Sequence, residues 1–253
     1  MLELSSSCTK SETFDTLLGG TIRVVQEKNG YRFSLDAILL AGFARLKGGE
    51  RVADLGTGIG IIPLILAQKG EGAGEIVGVE IQEKLAELAQ TNVHNNGLED
   101  IIHIYQGDIK EIDDLFPPSS FDVVVTNPPY YRVSSGRINP SSQKAIARHE
   151  VMCTIDDVLQ AASYLLKEGG RIFIIFPAHR SVTLFENLRS AMLEPKTLRW
   201  VHSWENEDAK FILTEASKGG REGVEVLPPF FVYAHDGTYT SEMARLYSDA
   251  TMH

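Results

Sequence analysis

From Arg51 onward, short apolar runs alternate with longer segments of helical periodicity, and this alternation constrains the fold more than any other property of the chain. Strands are predicted at 51–55, 76–80, 101–106, 121–126 and 171–176, with helices at 61–68, 83–95, 155–166 and 181–192. Strands joined through helices make a parallel sheet, covered by helices on both faces. The tail breaks the rhythm: 196–203 and 210–217 are consecutive strands, expected to pair antiparallel at the end of the sheet. Before Arg51, residues 21–26 and 31–33 flank Asn29-Gly30, a pair favoured in two-residue hairpin turns. Ser34 would cap a following helix that carries Ala37, Ile38, Leu40, Ala41 and Ala44 on one face. The expected organisation is an N-terminal extension with a β-hairpin over 1–33 and a single α/β domain over 34–253.

Composition narrows the partners less than the total charge suggests. The 253 residues are 43% hydrophobic and 23% charged, ordinary for a globular protein, with a net charge of -10. No apolar run approaches the roughly 20 residues of a membrane span. The first seven residues lack the basic start and apolar segment of a signal peptide. Cys8 and Cys153 stand far apart without metal-ligand spacing, which fits a reducing cytoplasm, two ordinary thiols and no metal. An acidic total disfavours nucleic acid, but residues 71–122 hold twelve acids and two bases, whereas 128–199 hold ten bases and six acids. Local field steers a polyanion more than total charge does, so a basic face and a mixed-charge surface both fit. Monomer and homodimer are equally compatible with the chain.

Two motifs carry chemistry. Asp54-Leu55-Gly56-Thr57-Gly58-Ile59-Gly60 sits at the first strand-to-helix junction, where glycines allow a tight turn and close approach to a ligand. Its spacing is Gly-x-Gly-x-Gly, unlike the Gly-x-Gly-x-x-Gly of NAD and FAD sites. Asp54 would repel a pyrophosphate but can orient an ammonium-bearing ligand, directly or through water. Glu80 ends the next strand, where a carboxylate can take both ribose hydroxyls, and Ile81 follows it. Gly107-Asp108-Ile109 follows the third strand, placing Asp108 to accept from an adenine amino group. The second motif, Asn127-Pro128-Pro129-Tyr130, ends the fourth strand. Two prolines make a rigid turn without N–H groups, leaving carbonyls to accept hydrogen bonds. With the Asn127 amide oxygen and the Tyr130 ring, the turn suits a planar amine such as that of a base or a carboxamide.

In that order along the strands, the set resembles a class I S-adenosylmethionine-dependent methyltransferase of Rossmann-like fold, and the turn resembles that superfamily's amino-methylating branch. The stretch from Gly30 to Ala41, with Gly78-Val79-Glu80-Ile81-Gln82, Asn127-Pro128-Pro129-Tyr130-Tyr131 and Ala147-Arg148-His149-Glu150, is similar to the tRNA(adenine-N6)-methyltransferase family. The similarity continues to Val232-Tyr233 and Gly237-Thr238-Tyr239-Thr240. The resemblance implies S-adenosylmethionine as cofactor and an RNA partner, in studied members a valine tRNA methylated beside its anticodon. It also implies that Asn127 Oδ1 and the Pro128 carbonyl accept the two hydrogens of an adenine N6, while Tyr130 stacks on the ring. By the same layout Phe33, Ser34 and Asp36 close over the methionine end of the cofactor, Ile81, Ile109 and Asn127 also border the cofactor, and Tyr131, Arg148 and His149 border the target. Arg132, Arg137 and Lys144 are candidates for phosphate contacts. Helix capping for Ser34 and Asp36, and a solvated helix start for Arg148 and His149, fit those residues equally well. A protein-glutamine methyltransferase, a small-molecule methyltransferase, a non-catalytic S-adenosylmethionine- or RNA-binding module and a nicotinamide oxidoreductase remain alternatives.

Overall fold

The computed structural model describes residues 12–27, 35–69, 73–128 and 153–248. Ahead of the alternating region, β1 (Glu12–Leu17) and β2 (Ile22–Glu27) form an antiparallel hairpin, followed by α1 (Leu35–Phe43). Then come β3 (Arg51–Leu55), α2 (Ile61–Gln68), β4 (Glu75–Glu80), α3 (Glu83–Asn95) and β5 (Ile102–Gln106). The short α4 (Ile112–Leu115) leads to β6 (Phe121–Thr126), and α5 (Ile155–Leu165) to β7 (Leu166–Pro177) and α6 (Ser181–Ser190). The chain closes with β8 (Leu193–His202), β9 (Ala209–Lys218), β10 (Glu225–Val226), β11 (Phe230–Phe231) and α7 (Ser241–Ser248).

The main sheet runs β10-β8-β9-β7-β6-β3-β4-β5, with β11 also on β8. Strands β5 through β7 are parallel, and β9 is antiparallel to both β7 and β8. Successive side chains on a strand point to opposite faces, and the core divides accordingly. Val52, Val123, Val125, Phe173 and Ile175 pack with α1, α2, α3, α7 and the hairpin. Ala53, Val124, Ile172, Ile174 and Phe176 pack with α4, α5 and α6. Both faces are therefore sealed, leaving the strand ends as the place where polar groups can gather. Phe173 is fully buried and meets the Phe43 ring edge-on at 6.0 Å. Phe173→Ala should cost about 3–5 kcal/mol, read as a lower urea midpoint, because packed neighbours cannot refill the ring's volume.

An N-terminal hairpin is present, and among the described residues β2 pairs with β1, an upstream strand that the sequence reading did not include, through a connection at Leu18–Gly20 and Thr21. Gly19 and Gly20 take positive φ there (62° and 94°), supplying the reversal between β1 and β2. Asn29, Gly30 and 31–33 lie outside the described residues. The antiparallel tail pair is longer than expected at both strands, since its flanking residues continue the β7–β9–β8 ladder.

Candidate active site

The strand order reverses at β3: β4 and β5 lie on one side of it and β6 on the other. Such a switch point opens a crevice at the carboxyl ends of the two central strands. The last β3–β6 register pair is Leu55↔Thr126, and the Thr126 hydroxyl donates to the Leu55 carbonyl at 2.9 Å. The glycine loop and Asn127 thus leave adjacent strands at the same level. On the other side, Glu80 pairs with Gln106, so Ile81 and Asp108 follow at that edge too.

The loop's shape explains its spacing. Gly56, Gly58 and Gly60 have φ of 77°, 58° and 83°, so every second residue is left-handed, a conformation costly for any side chain. Gly56 and Thr57 donate their N–H groups to the Val79 carbonyl at 2.9 and 3.0 Å. Gly58 N–H donates to the Glu80 carboxylate at 2.9 Å, and the other Glu80 oxygen accepts from Gln82 N–H at 2.9 Å. Glu80 therefore braces the loop while retaining lone pairs for a further donor. Gly78 leaves the space that Thr57 fills: a Cβ there would lie 2.9 Å from both side-chain ends of Thr57.

Asp54 is the unusual group. It is fully buried, and among the described residues neither carboxyl oxygen has a hydrogen-bond partner. Burial pushes its carboxyl up to about 7; Thr57 pulls it down somewhat, and the Glu80 carboxylate adds to the rise. The Thr57 hydroxyl is near enough to be felt but meets neither Asp54 oxygen with bonding geometry, since it too lacks a partner. A buried carboxyl with no donor is costly unless something cationic or donating completes it. An ammonium-bearing ligand at the glycine loop would do so, and S-adenosylmethionine fits this donor set, in which Asp54 would face its cationic end, Glu80 the ribose and Asp108 the adenine.

Asp108 caps the short 3-10 turn Ile109–Glu111, accepting from Lys110 N–H at 2.9 Å. Ile109 packs beside it against the α4–α5 core. Asp36 lies in the first turn of α1, half-buried. Asn127 is half-buried and Pro128 buried at the end of β6. Phe33, Ser34, Tyr130, Tyr131, Arg132, Arg137, Lys144, Arg148 and His149 lie outside the described residues. Burial pushes the Cys153 thiol up to about 12, with the Asp157 and Asp108 carboxylates adding to it, so it is not a nucleophile at neutral pH.

The basic excess over 128–199 divides once the partners are visible. Lys167 meets Asp122 at 2.6 Å, Arg171 meets Glu50 at 2.7 Å, Arg189 meets Glu194 at 3.1 Å and Arg199 meets Glu242 at 2.8 Å. Each of these four cations is paired with a carboxylate of the fold. Among the described residues no group of three or more candidate ligands could hold a metal, and no helix is long and apolar enough to cross a membrane.

Asn92 and Asn96 were missed by sequence reasoning. Asn92 lies on α3 and Asn96 caps its carboxyl end, and Asn92 donates to the Ile59 carbonyl inside the glycine loop at 3.0 Å. Their signal was two asparagines at i, i+4 spacing, the first between the apolar positions Leu88, Ala89 and Val93.

A model described as a methyltransferase domain matches residues 46–217. The chain belongs to that family. Two relatives named tRNA1(Val) (adenine(37)-N6)-methyltransferase are similar to it. The one from Bacteroides thetaiotaomicron is 35% identical over 61% of this chain and 63% of its own length. The one from Pasteurella multocida is 36% identical over 60% of this chain and 62% of its own length. The chain thus spans less than two thirds of either relative. A solved structure described as a predicted O-methyltransferase from Agrobacterium tumefaciens superposes with a TM-score of 0.70 at 22% identity, covering 87% of this chain and 98% of that one. At that identity the likeness establishes the Rossmann-like class I methyltransferase fold, with its mostly parallel sheet and antiparallel strand pair.

Proposed function

We propose that this methyltransferase uses S-adenosylmethionine to methylate the exocyclic N6 of an adenine in RNA, with tRNA as the substrate class. The observation that carries this reading is the register across the switch point, where the Asp54 loop and Asn127-Pro128 leave adjacent strands side by side. When bound, S-adenosylmethionine supplies a methyl group on a positively charged sulfur. Asn127 Oδ1 and the Pro128 carbonyl accept the two hydrogens of the adenine amine, drawing its nitrogen out of conjugation. With the cofactor bound, the lone pair would be aimed at the methyl carbon. The N–C bond would form as the S–C bond breaks, the S–C electron pair staying on sulfur to leave a neutral thioether, and one N6 proton would pass to solvent. No strong base is required, because that proton acidifies during the transfer. Positioning and electrostatics therefore carry the acceleration. Tyr130 would hold the ring by stacking, worth about 1–3 kcal/mol per base. An adenine in a folded RNA must first be unstacked to reach the turn.

The names of the relatives direct the substrate test to adenine 37 of valine tRNA. Unmodified valine tRNA incubated with the protein and S-adenosylmethionine should gain one N6-methyladenosine by nucleoside mass spectrometry. Methylation of a release-factor glutamine in place of the RNA would transfer the assignment to a protein substrate. Transfer to neither would leave a binding module.

A further inference from the structure

The hairpin and the glycine loop are joined through one side chain. Asn92 is fully buried on α3; its Oδ1 accepts from Val25 N–H at 2.7 Å, and its Nδ2 donates to the Val25 carbonyl at 3.1 Å. One turn further on, Asn96 repeats the pair with Arg23, at 2.9 and 2.7 Å. The match is geometric. Residues two apart on a strand present N–H and C=O to the same side, about 6.6 Å along the chain. Residues four apart on a helix share a face about 6 Å along its axis. The two amides therefore act on the edge of β2 away from β1 as a neighbouring strand would.

Asn92 does one thing that Asn96 does not: it also donates to the Ile59 carbonyl at 3.0 Å. Ile59 lies between Gly58 and Gly60, whose left-handed backbones shape the loop, and Gly58 N–H is held by Glu80. Ala89, one turn earlier on α3, closes on Gly60, where an added Cβ would lie 3.3 Å from the alanine Cβ. The three polar functions of Asn92 are spent on β2 and the loop together, so neither can shift without disturbing the other.

We propose that Asn92 is a positioning residue that couples the N-terminal hairpin to the cofactor loop: the seat of β2 on α3 sets the loop, and cofactor on the loop tightens the hairpin. The coupling rests on the reading of the loop as the S-adenosylmethionine site. Linkage makes it reciprocal: whatever docks on the hairpin and shifts β2 changes cofactor affinity by the factor with which cofactor changes that docking.

The test compares Asn92→Ala with Asn96→Ala, since both loosen β2 but only the first releases the loop. S-adenosylhomocysteine binding is measured by titration calorimetry, and backbone amide exchange with and without that ligand. Asn92→Ala should weaken binding about tenfold. Its KM for S-adenosylmethionine should rise in parallel, while kcat stays within about twofold. Asn96→Ala should bind within about twofold of the parent, even where its unfolding midpoint falls as far. In the parent, ligand should slow exchange at Val25, and in Asn92→Ala it should not. Parent-like affinity in Asn92→Ala, or an equal loss in Asn96→Ala, overturns the coupling. If Asn92→Ala does not fold, absence of ligand-dependent protection at Val25 in the parent overturns it instead, and its presence supports it. If the parent binds no S-adenosylhomocysteine, the cofactor reading falls and ligand-free exchange decides. Faster exchange at Gly58 and Gly60 in Asn92→Ala than in Asn96→Ala supports the joint, and equal rates overturn it.

Discussion

Asn127→Ala should lower the rate of methyl transfer about 10²–10³-fold or more, while S-adenosylhomocysteine affinity stays within about threefold. The amine of adenine is a poor nucleophile, because its lone pair is shared with the ring. The proposed turn supplies two acceptors, the Asn127 amide oxygen and the Pro128 carbonyl, and alanine removes one of them. The adenine then keeps its planar amine, and the cost falls on the transition state in place of the ground state. The carboxylates proposed to hold the cofactor, Asp54, Glu80 and Asp108, belong to β3, β4 and the turn after β5, so the substitution leaves them in place. The Thr126 hydroxyl on the Leu55 carbonyl keeps β6 in register with β3, so the variant should fold. Single-turnover methylation of tRNA with saturating S-adenosylmethionine is the decisive measurement. Undiminished transfer would remove Asn127 from the chemistry.

Asp54→Asn should weaken S-adenosylhomocysteine about 10–100-fold and abolish a pH dependence that the parent shows around neutrality. Burial raises the Asp54 carboxyl to about 7, with the nearby Glu80 carboxylate adding to the effect. Below that pH the group is neutral in the free protein, whereas a cationic ligand favours its ionised form. Binding then releases a proton, and affinity should climb as pH rises to about 7 and level off above it. Stability follows the opposite sense. The folded value lies above the ordinary 3.8, so the contribution of this group is fully present below 3.8 and is lost as pH rises to about 7. Asp54→Asn should therefore flatten both the affinity profile and the stability profile between pH 4 and 8. Calorimetric titration and urea unfolding across that range check the two halves separately. A parent whose affinity is level across neutrality would mean that Asp54 does not face the cationic end of the ligand.

Much of the scaffold was legible because its causes are local. The helices Ile61–Gln68 and Glu83–Asn95 and the strands Arg51–Leu55 and Phe121–Thr126 lie at the expected positions. Their pattern is complete within each segment, with glycine or proline within two residues of at least one end. The β1–β2 turn was not legible in the same way. Strand β2 takes its partner from upstream, where Gly19 and Gly20 reverse the chain. The basic stretch shows a similar limit in part, since Lys167, Arg171, Arg189 and Arg199 pair with Asp122, Glu50, Glu194 and Glu242, partners that the order of residues does not reveal.

By itself the sequence determined an α/β chain with a glycine loop behind an acid, a carboxylate on the next strand and an acceptor-rich turn on the fourth. Each of these depends on neighbours within a few residues. Only the tertiary structure decided that β6 lies against β3, which brings the loop and the turn to one crevice. It also decided that Asp54 is buried with no donor among the described residues and that Asn92 joins β2 to Ile59. Those depend on strand order and on contacts between residues as far as 71 positions apart, where pairing is set by the packing of whole elements and leaves no local trace.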